Sequence, residues 1–137
     1  MQYEQTFRVF IYGSLLPGLS NRQVVEPYIV STSPGRIGGR IVDIGPYPAL
    51  VRSGGLNGEF ASSVRGCWIA VTCEGLKNMD TLEEFHGIEE DNDYDRIWVS
   101  DLDDPGLEGW VYVWPDSRGF PYISSDYWPD YYNSKKR

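Results

Sequence analysis

Two adjoining stretches decide how the chain begins to fold: Thr6–Tyr12, with the sequence TFRVFIY, and Gly13–Gly18, with the sequence GSLLPG. The first alternates along its length, with Phe7, Val9 and Ile11 on one side, which is typical of a β-strand. The second is rich in turn-forming residues and predicts a tight turn out of the strand. Successive backbone N–H groups in such a turn can cradle an anion, so this loop is a candidate binding element.

Two familiar catalytic loops can be excluded at this turn. The glycine spacing of Gly13–Gly18 resembles a phosphate-binding P-loop, but Leu19 and Ser20 stand where that motif needs Lys and then Ser or Thr. A nucleophile elbow around Ser14 would need glycine at the position of Leu16. Neither phosphate-loop chemistry nor a serine nucleophile is therefore expected here.

The rest of the sequence predicts short strands and few helices, because 15 glycines and 9 prolines punctuate short apolar runs. The best helix is Glu74–Phe85. This pattern predicts a single α+β domain over residues 1–137, built on a small barrel or strongly bent sheet. The other predicted elements are strands at 28–32, 36–44, 49–51, 64–73, 94–100 and 110–114, a turn at 33–35, a loop at 52–63, and short helices from Ser20 or Asn21 to Val25 and from Ser125 or Asp126 to about Asn133.

The composition excludes several classes of protein. With 137 residues, 41% of them hydrophobic, the chain has enough apolar side chains for a core. A net charge of −8 argues against nucleic acid as a partner, since nucleic-acid-binding proteins carry basic patches. No apolar run approaches the roughly 18 residues of a membrane helix, and Met1–Gln5 is too polar for a secretory signal. We therefore expect a cytoplasmic protein with no membrane partner, whose basic end, Lys135-Lys136-Arg137, is solvated.

The two cysteines, Cys67 and Cys73, are too few for a disulfide framework. In the predicted strand they share a face with Ile69 and Val71, so we expect two buried free thiols in a reducing compartment. The chain has one histidine, and a structural zinc ion needs four Cys or His ligands. A metal site is therefore not expected.

Two ionisable residues fall on the apolar face of the best predicted helix. On a helical wheel Leu76, Met79 and Leu82 form the buried stripe, and Glu83 and His86 fall inside it. Burial raises the pKa of a carboxylic acid toward neutrality, which suits a general acid or base. Two structural interpretations stay open: Glu83 at the edge of the stripe with its charge in water, and His86 as a cap of the helix end.

Six stretches, each weak alone, are specific in their order and spacing. Together they resemble the gamma-glutamylcyclotransferase-like superfamily, which includes the AIG2-like proteins. The resemblance covers nearly the whole chain, from about Phe7 to Tyr131. The stretches are Val9–Leu15 (VFIYGSL), Asp43–Val51 (DIGPYPALV), the strand opened by Val64-Arg65-Gly66, Met79–Glu83 (MDTLE), Tyr94-Asp95-Arg96 and Ile123–Trp128 (ISSDYW).

The resemblance implies a fold, a reaction and a site. The fold is a small mixed β-barrel flanked by helices, in agreement with the strand-rich pattern. The substrate loop is Tyr12, Gly13, Ser14 and Leu15, whose backbone N–H groups hold the α-carboxylate end of a γ-glutamyl small molecule. Glu83 closes the family's L-D-x-L-E motif and is the acid/base. The implied reaction releases 5-oxoproline and a free amine, and it requires no metal or cofactor.

An alternative stays open at the catalytic position. Glu84 stands where the family usually has glycine, and Phe85-His86-Gly87 resembles the family's F-E-G variant, which would put His86 in place of the acid/base. We favour Glu83 because its register also matches Asp80 and Leu82. Without the catalytic glutamate the protein would be an inactive small-ligand-binding or interaction module on the same fold.

The amine half of the substrate is not defined by the sequence. Tyr94 opens the family's Y-x-R strand and is a further substrate-binding candidate. The aromatic side chains that could line the amine half are Tyr47, Tyr94, Tyr127, Trp128, Tyr131 and Tyr132.

Overall fold

The structure is a computed structural model that describes residues 5–19, 21–45, 47–52, 62–82 and 94–135. Residues 53–61 of the predicted loop, and Glu83 and His86, lie outside the described residues. The strands are β1 (Thr6–Ile11), β2 (Ile29–Gly38), β3 (Arg40–Asp43), β4 (Pro48–Val51), β5 (Ser63–Thr72), β6 (Asp95–Ser100) and β7 (Glu108–Trp114). The helices are α1 (Cys73–Leu82) and α2 (Trp128–Lys135), with short 3-10 helices at Arg22–Val24 and Glu26–Tyr28.

The strands form one mixed sheet that curls into a half-barrel. β1 lies in its middle, antiparallel to β5, with Val9 opposite Ile69, and parallel to β7, with Val9 opposite Trp110. The order across the sheet is β2-β5-β1-β7-β4-β3, and β6 pairs with β7 in the antiparallel direction. The predicted α+β class with a small mixed barrel is confirmed.

Both faces of the sheet are covered, so β1 contributes to two cores. Val9 and Ile11 pack in one core with Met79 of α1, and Phe10 packs in the other with Trp128 of α2. Each of these five side chains is at most 2% exposed. The strand is therefore fixed on both sides up to the point where it enters the Gly-Ser-Leu turn.

The predicted turn at 33–35 is wrong, because β2 runs straight through it. β2 is an edge strand of the described sheet, and an edge tolerates Pro34, which has no N–H to donate to a ladder. The chain bends instead at Gly39, where φ is +144° and a Cβ would lie 3.1 Å from the carbonyl oxygen of Val51. The strand predicted at 36–44 is therefore divided between β2 and β3.

The two longer helices follow the prediction, and the first short one does not. α1 buries Leu76 and Met79 as the stripe predicts, and α2 lies close to the predicted 126–133. The helix predicted at 21–25 is replaced by the two 3-10 helices, and Pro27 occupies the first turn of the second, where its missing N–H costs little. Within the described ranges, no helix has the length and apolar character needed to cross a lipid bilayer.

The prediction of two buried thiols is wrong for Cys73, which is exposed. β5 ends at Thr72 and Cys73 opens α1, so the alternation of the strand no longer decides which way this side chain faces. Cys67 is half-buried, and its burial raises the pKa of the thiol although the charge of Arg22 opposes the shift. Both cysteines are free thiols.

The end of α2 is exposed and is also anchored to the sheet. The Asp43 carboxylate accepts a hydrogen bond from the Tyr131 hydroxyl at 2.6 Å and contacts with Lys135 Nζ at 2.9 and 3.0 Å. Lys135 Nζ also donates to the carbonyl oxygen of Gly45 at 2.8 Å. Lys135 is exposed, as expected of a solvated end, and it is also bound to the sheet, while Lys136 and Arg137 lie outside the described residues.

Candidate active site

A cavity of about 160 Å³ opens where the end of β1, the start of β4 and the end of α1 meet. The five substrate-binding residues predicted from the sequence, Tyr12, Gly13, Ser14, Leu15 and Tyr94, all lie in its wall. The fold thus brings Tyr94 to the loop from a distant part of the chain, while their role as substrate ligands stays a prediction. The described wall consists of residues 10–15, Asn21, Tyr47, Pro48, Leu82, Tyr94 and Tyr112.

The loop that leaves β1 is closed by its own backbone and by a contact with β4. The Leu16 amide donates to the carbonyl oxygen of Gly13 at 3.0 Å, and the Asn21 amide donates to that of Ser14 at 2.9 Å. A Cβ at Gly13 would lie 2.8 Å from two ring carbons of Pro48. Glycine is therefore required here by the close approach of β4.

The amide N–H groups of Ser14 and Leu15 are suited to bind an anion. In the hydrogen bonds of the described part of the chain, neither amide is a donor. The Leu15 and Leu16 side chains are 4% and 1% exposed, so the backbone between them is held in place. Arg22 Nη1 contacts the carbonyl oxygen of Leu15 at 3.4 Å, while its Nε pairs with the Glu26 carboxylate. Available donors on an anchored turn favour an anionic ligand such as a carboxylate.

Asn21 is a wall residue whose role the sequence did not reveal. It stands at the N-cap position of the first 3-10 helix, as predicted, but its side chain makes no capping bond. Its Nδ2 donates instead to the Ser14 hydroxyl oxygen at 2.9 Å. Because that oxygen accepts from Asn21, the hydroxyl hydrogen of Ser14 can be donated to a ligand.

The tyrosines of the wall are locked by hydrogen bonds between strands. The Tyr12 hydroxyl donates to the carbonyl oxygen of Tyr112 at 2.7 Å and accepts from the Leu50 amide at 3.0 Å. The Tyr94 hydroxyl donates to the carbonyl oxygen of Pro48 at 2.9 Å. These bonds tie the Tyr12 and Tyr94 rings to β4 and β7, so both rings are rigid parts of the wall and both hydroxyls bond to backbone groups.

The aromatic residues predicted to line the amine half of the substrate fall into two groups, those in the described cavity wall and those outside it. Tyr47 and Tyr94 line the cavity, and Tyr47 is 39% exposed. The C-terminal aromatic residues, Tyr127, Trp128, Tyr131 and Tyr132, are absent from its described wall. The sequence offered no signal for this division, because it depends on which face of the sheet α2 covers.

The end of α1 leads from the cavity wall to the candidate acid/base. Leu76 is 8% and Met79 0% exposed, and Leu82 is partly buried and lines the cavity. Glu83 follows Leu82 directly, and consecutive Cα atoms are about 3.8 Å apart. Because neither Glu83 nor His86 is among the described residues, the choice between them stays a prediction.

Comparison with known proteins connects this site to a family. Residues 9–130 match the family described as Gamma-glutamyl cyclotransferase, AIG2-like. The chain belongs to this family. The resemblance found in the sequence is thereby confirmed, and the matched range includes the whole described wall of the cavity.

A curated relative carries the same activity in its name. The AIG2-like chain is 33% identical over 109 residues to the Gamma-L-glutamyl-butirosin B gamma-glutamyl cyclotransferase of Niallia circulans. The alignment covers 77% of this chain and 65% of that relative. The chain therefore spans slightly less than two thirds of the relative's length.

Solved structures share the fold of this AIG2-like chain. YkqA from Bacillus subtilis matches with a TM-score of 0.69 and 20% identity, over 97% of this chain and 44% of that one. An AIG2-like protein from Mus musculus matches with a TM-score of 0.65 and 22% identity, over 88% of each chain. At these identities the likeness concerns the fold alone, and it agrees with the curled half-barrel.

Proposed function

We propose that this protein is a γ-glutamyl cyclotransferase that releases 5-oxoproline and a free amine from a γ-glutamyl small molecule. One observation carries the proposal. The Ser14 and Leu15 amides, which donate to no described group, lie in the same cavity wall as Leu82, the residue that precedes Glu83. An anion-binding loop and a carboxylic acid are the two elements that this reaction requires.

The loop binds the α-carboxylate of the glutamyl group. The Ser14 and Leu15 amides and the Ser14 hydroxyl supply three donors, and Asn21 sets the direction of that hydroxyl. Donors fixed by the fold cost little reorganisation when the substrate arrives. The carboxylate end is thus anchored, and the γ-carbonyl extends toward Tyr94 and the end of α1.

The chemistry is an intramolecular exchange of one amide for another. The α-amine nitrogen attacks the γ-carbonyl carbon and closes a five-membered ring, and the bond from that carbon to the leaving nitrogen breaks. Glu83 takes a proton from the attacking α-ammonium group and returns it to the leaving nitrogen. The ammonium gives up two protons in all, and both end on the amine, which leaves as an ammonium ion. Holding the chain folded supplies the proximity that the ring closure needs.

The amine half points to the mouth of the cavity beside Tyr47, whose ring is partly exposed. A cavity of about 160 Å³ suits the glutamyl group more than a whole large conjugate. The Niallia circulans relative is named for γ-L-glutamyl-butirosin B, so a γ-glutamyl conjugate of that kind is one candidate substrate.

The proposal is tested by the release of 5-oxoproline from a panel of γ-glutamyl dipeptides and γ-glutamyl conjugates of larger amines. Wild type should turn over at least one of them. Glu83→Gln keeps the shape of the side chain but cannot accept a proton, so it should lower the rate by about 10²–10⁴-fold. Circular dichroism should show an unchanged fold.

Glu84→Gln and His86→Ala are the matched controls. Glu84 is the adjacent carboxylate outside the apolar stripe, and its variant should keep nearly full activity. If His86→Ala is inactive while Glu83→Gln is active, the register of the acid/base is wrong and His86 takes its place. If wild type releases 5-oxoproline from no member of the panel, the protein is a binding module on this fold.

A further inference from the structure

The last described turn of α1 carries a carboxylate that is held from two sides. Asp80 Oδ1 and Oδ2 lie 2.9 and 2.8 Å from Nη1 of Arg96, and Oδ1 accepts a hydrogen bond from the Tyr112 hydroxyl at 2.6 Å. The side chains of Asp80 and Arg96 are 23% and 17% exposed. An ion pair this sheltered, with a further hydroxyl donor, is geometrically better defined than a surface pair.

The two donors are presented by one rigid ladder. Arg96 of β6 and Tyr112 of β7 are directly opposite each other in an antiparallel register that covers all of β6. Side chains at opposite positions of a ladder point to the same face, so both reach the same carboxylate. The Arg96 guanidinium also lies over the Trp110 ring, with 4.7 Å from its central carbon to the ring centroid. Asp80 is therefore held by two side chains whose backbones are fixed in neighbouring strands.

The same contacts join the end of α1 to the cavity. Tyr112 and Leu82 both line the cavity, and Leu82 is two residues beyond Asp80. Glu83 is three residues beyond Asp80 in the sequence. We therefore expect the contacts of Arg96 and Tyr112 with Asp80 to restrict the positions that the Glu83 carboxylate can reach.

We propose that Asp80, Arg96 and Tyr112 are positioning residues, which hold the end of α1 so that the Glu83 carboxylate meets the α-amine of the bound γ-glutamyl group. This inference rests on the proposed function. In the proposed function the substrate's carboxylate end is bound at Ser14 and Leu15, residues of the cavity wall that do not belong to α1. Loosening α1 should therefore lower kcat and leave KM nearly unchanged, whereas damage to the loop should raise KM.

Three variants change one group of this arrangement at a time. Asp80→Asn removes the charge, Arg96→Met removes the guanidinium but keeps an apolar stem over Trp110, and Tyr112→Phe removes the hydroxyl but keeps the ring in the wall. Because small displacements of a reacting group are costly, the first two should lower kcat by about 10–100-fold and the third by about 3–10-fold, with KM within about twofold of wild type. Thermal unfolding should verify that each variant is folded at the assay temperature.

Two further variants separate positioning from general loss of stability. One nitrogen of Arg96 makes both contacts with Asp80, so the single ammonium of Arg96→Lys should recover at least about a third of the kcat lost in Arg96→Met. Arg65→Met is the control, because Arg65 pairs with Asp126 and Asp130 outside the described cavity wall and its variant changes the net charge equally. It should leave kcat and KM unchanged.

The amide exchange of α1 is measured on the same variants. Loss of the tether should speed exchange in the peptide that contains residues 76–82 for Asp80→Asn and Arg96→Met, but not for Arg65→Met. An active wild type whose three variants keep full kcat, or raise KM instead, would overturn the positioning role while the proposed function stands. A wild type that releases no 5-oxoproline would overturn the proposed function and the positioning role with it.

Discussion

The loop between β6 and β7 and the loop after β1 differ in how far their polar groups are hydrogen-bonded within the protein. The loop between β6 and β7 is built around Asp101, which is 6% exposed. Its carboxylate accepts from the Arg36 amide at 2.8 Å, from Trp68 Nε1 at 3.0 Å, and from the amides of Asp103 and Asp104 at 2.9 Å each. Four donors on one carboxylate leave this loop internally satisfied, and it has no need of a ligand.

The loop after β1 is as well anchored but not internally satisfied. Its leucines are buried and Asn21 holds Ser14, yet the Ser14 and Leu15 amides donate to no group in the described part of the chain. Amides that donate to no described group, on an anchored turn in a cavity wall, can be satisfied by a ligand. From this difference we propose that the loop after β1 is a binding element, whereas the loop between β6 and β7 is a structural joint.

Asp101→Asn should have the largest effect on stability. The asparagine keeps one acceptor oxygen but presents N–H groups to amides that need an acceptor, so the free energy of unfolding at pH 7 should fall by about 2–4 kcal/mol. Denaturant unfolding would measure the loss. Turnover per folded molecule should stay at the wild-type level, and a fall in kcat with unchanged stability would break the comparison between the two loops.

The pH dependence of wild-type stability also tests whether the Asp101 carboxylate stabilises the loop between β6 and β7. Burial opposes the charge of Asp101, but hydrogen bonds from the Arg36 amide, Trp68 and the next residues lower the pKa of its carboxyl below the usual 3.8. A carboxyl whose pKa is lower in the folded than in the unfolded state stabilises the fold when the pH is above its unfolded-state pKa. This stabilisation is lost as the pH falls through the folded-state pKa. Wild type should therefore lose stability below about pH 4, and this part of the acid loss should be absent in Asp101→Asn.

Gly13→Ala should damage the loop after β1, and it should lower activity more than stability. The new Cβ would lie 2.8 Å from Pro48, so the loop must move away from β4 and carry the Ser14 and Leu15 amides with it. We expect kcat/KM for 5-oxoproline release to fall by about 100-fold, chiefly through KM, with only a modest loss of stability. Steady-state kinetics and thermal unfolding would measure the two effects.

Gly35→Ala is the matched control. Its Cβ would lie 2.4 Å from Trp68 Cδ1 and 2.9 Å from Asp101 Oδ1, inside the structural joint. The same substitution should therefore cost stability here, by about 1–3 kcal/mol, and leave kcat/KM of the folded protein unchanged. If both glycine variants lose activity and stability in the same proportion, the two loops do not differ in function.

The sequence predicted the elements whose signals are local. β1 alternates, the turn after it has its glycine and proline, and the stripe of Leu76 and Met79 predicts the buried face of α1. These patterns depend on neighbouring residues, so they survive in the folded chain. The candidate loop and Tyr94 were found because their motifs are contiguous.

Contacts between distant residues could not be read from the sequence. Tyr12 bonds to Tyr112 and Leu50, and Asp80 bonds to Arg96, through pairings that depend on the strand order. The turn predicted at 33–35 failed for the same reason, because whether Pro34 ends a strand depends on whether that strand lies at an edge. The bond from Asn21 to Ser14 is local. The sequence does not show, however, whether the side chain of an N-cap residue bonds to the helix or to another group.

The central claim is that the Ser14 and Leu15 amides bind the carboxylate of the glutamyl group. A titration of the ¹⁵N-labelled full chain with 5-oxoproline, the product that carries this carboxylate, tests it most directly. The largest and saturable amide shifts should fall on Ser14 and Leu15, with small shifts at Asp103 and Asp104, and Gly13→Ala should weaken the binding. Absence of saturable shifts at Ser14 and Leu15, or larger ones around Asp101, would contradict the account.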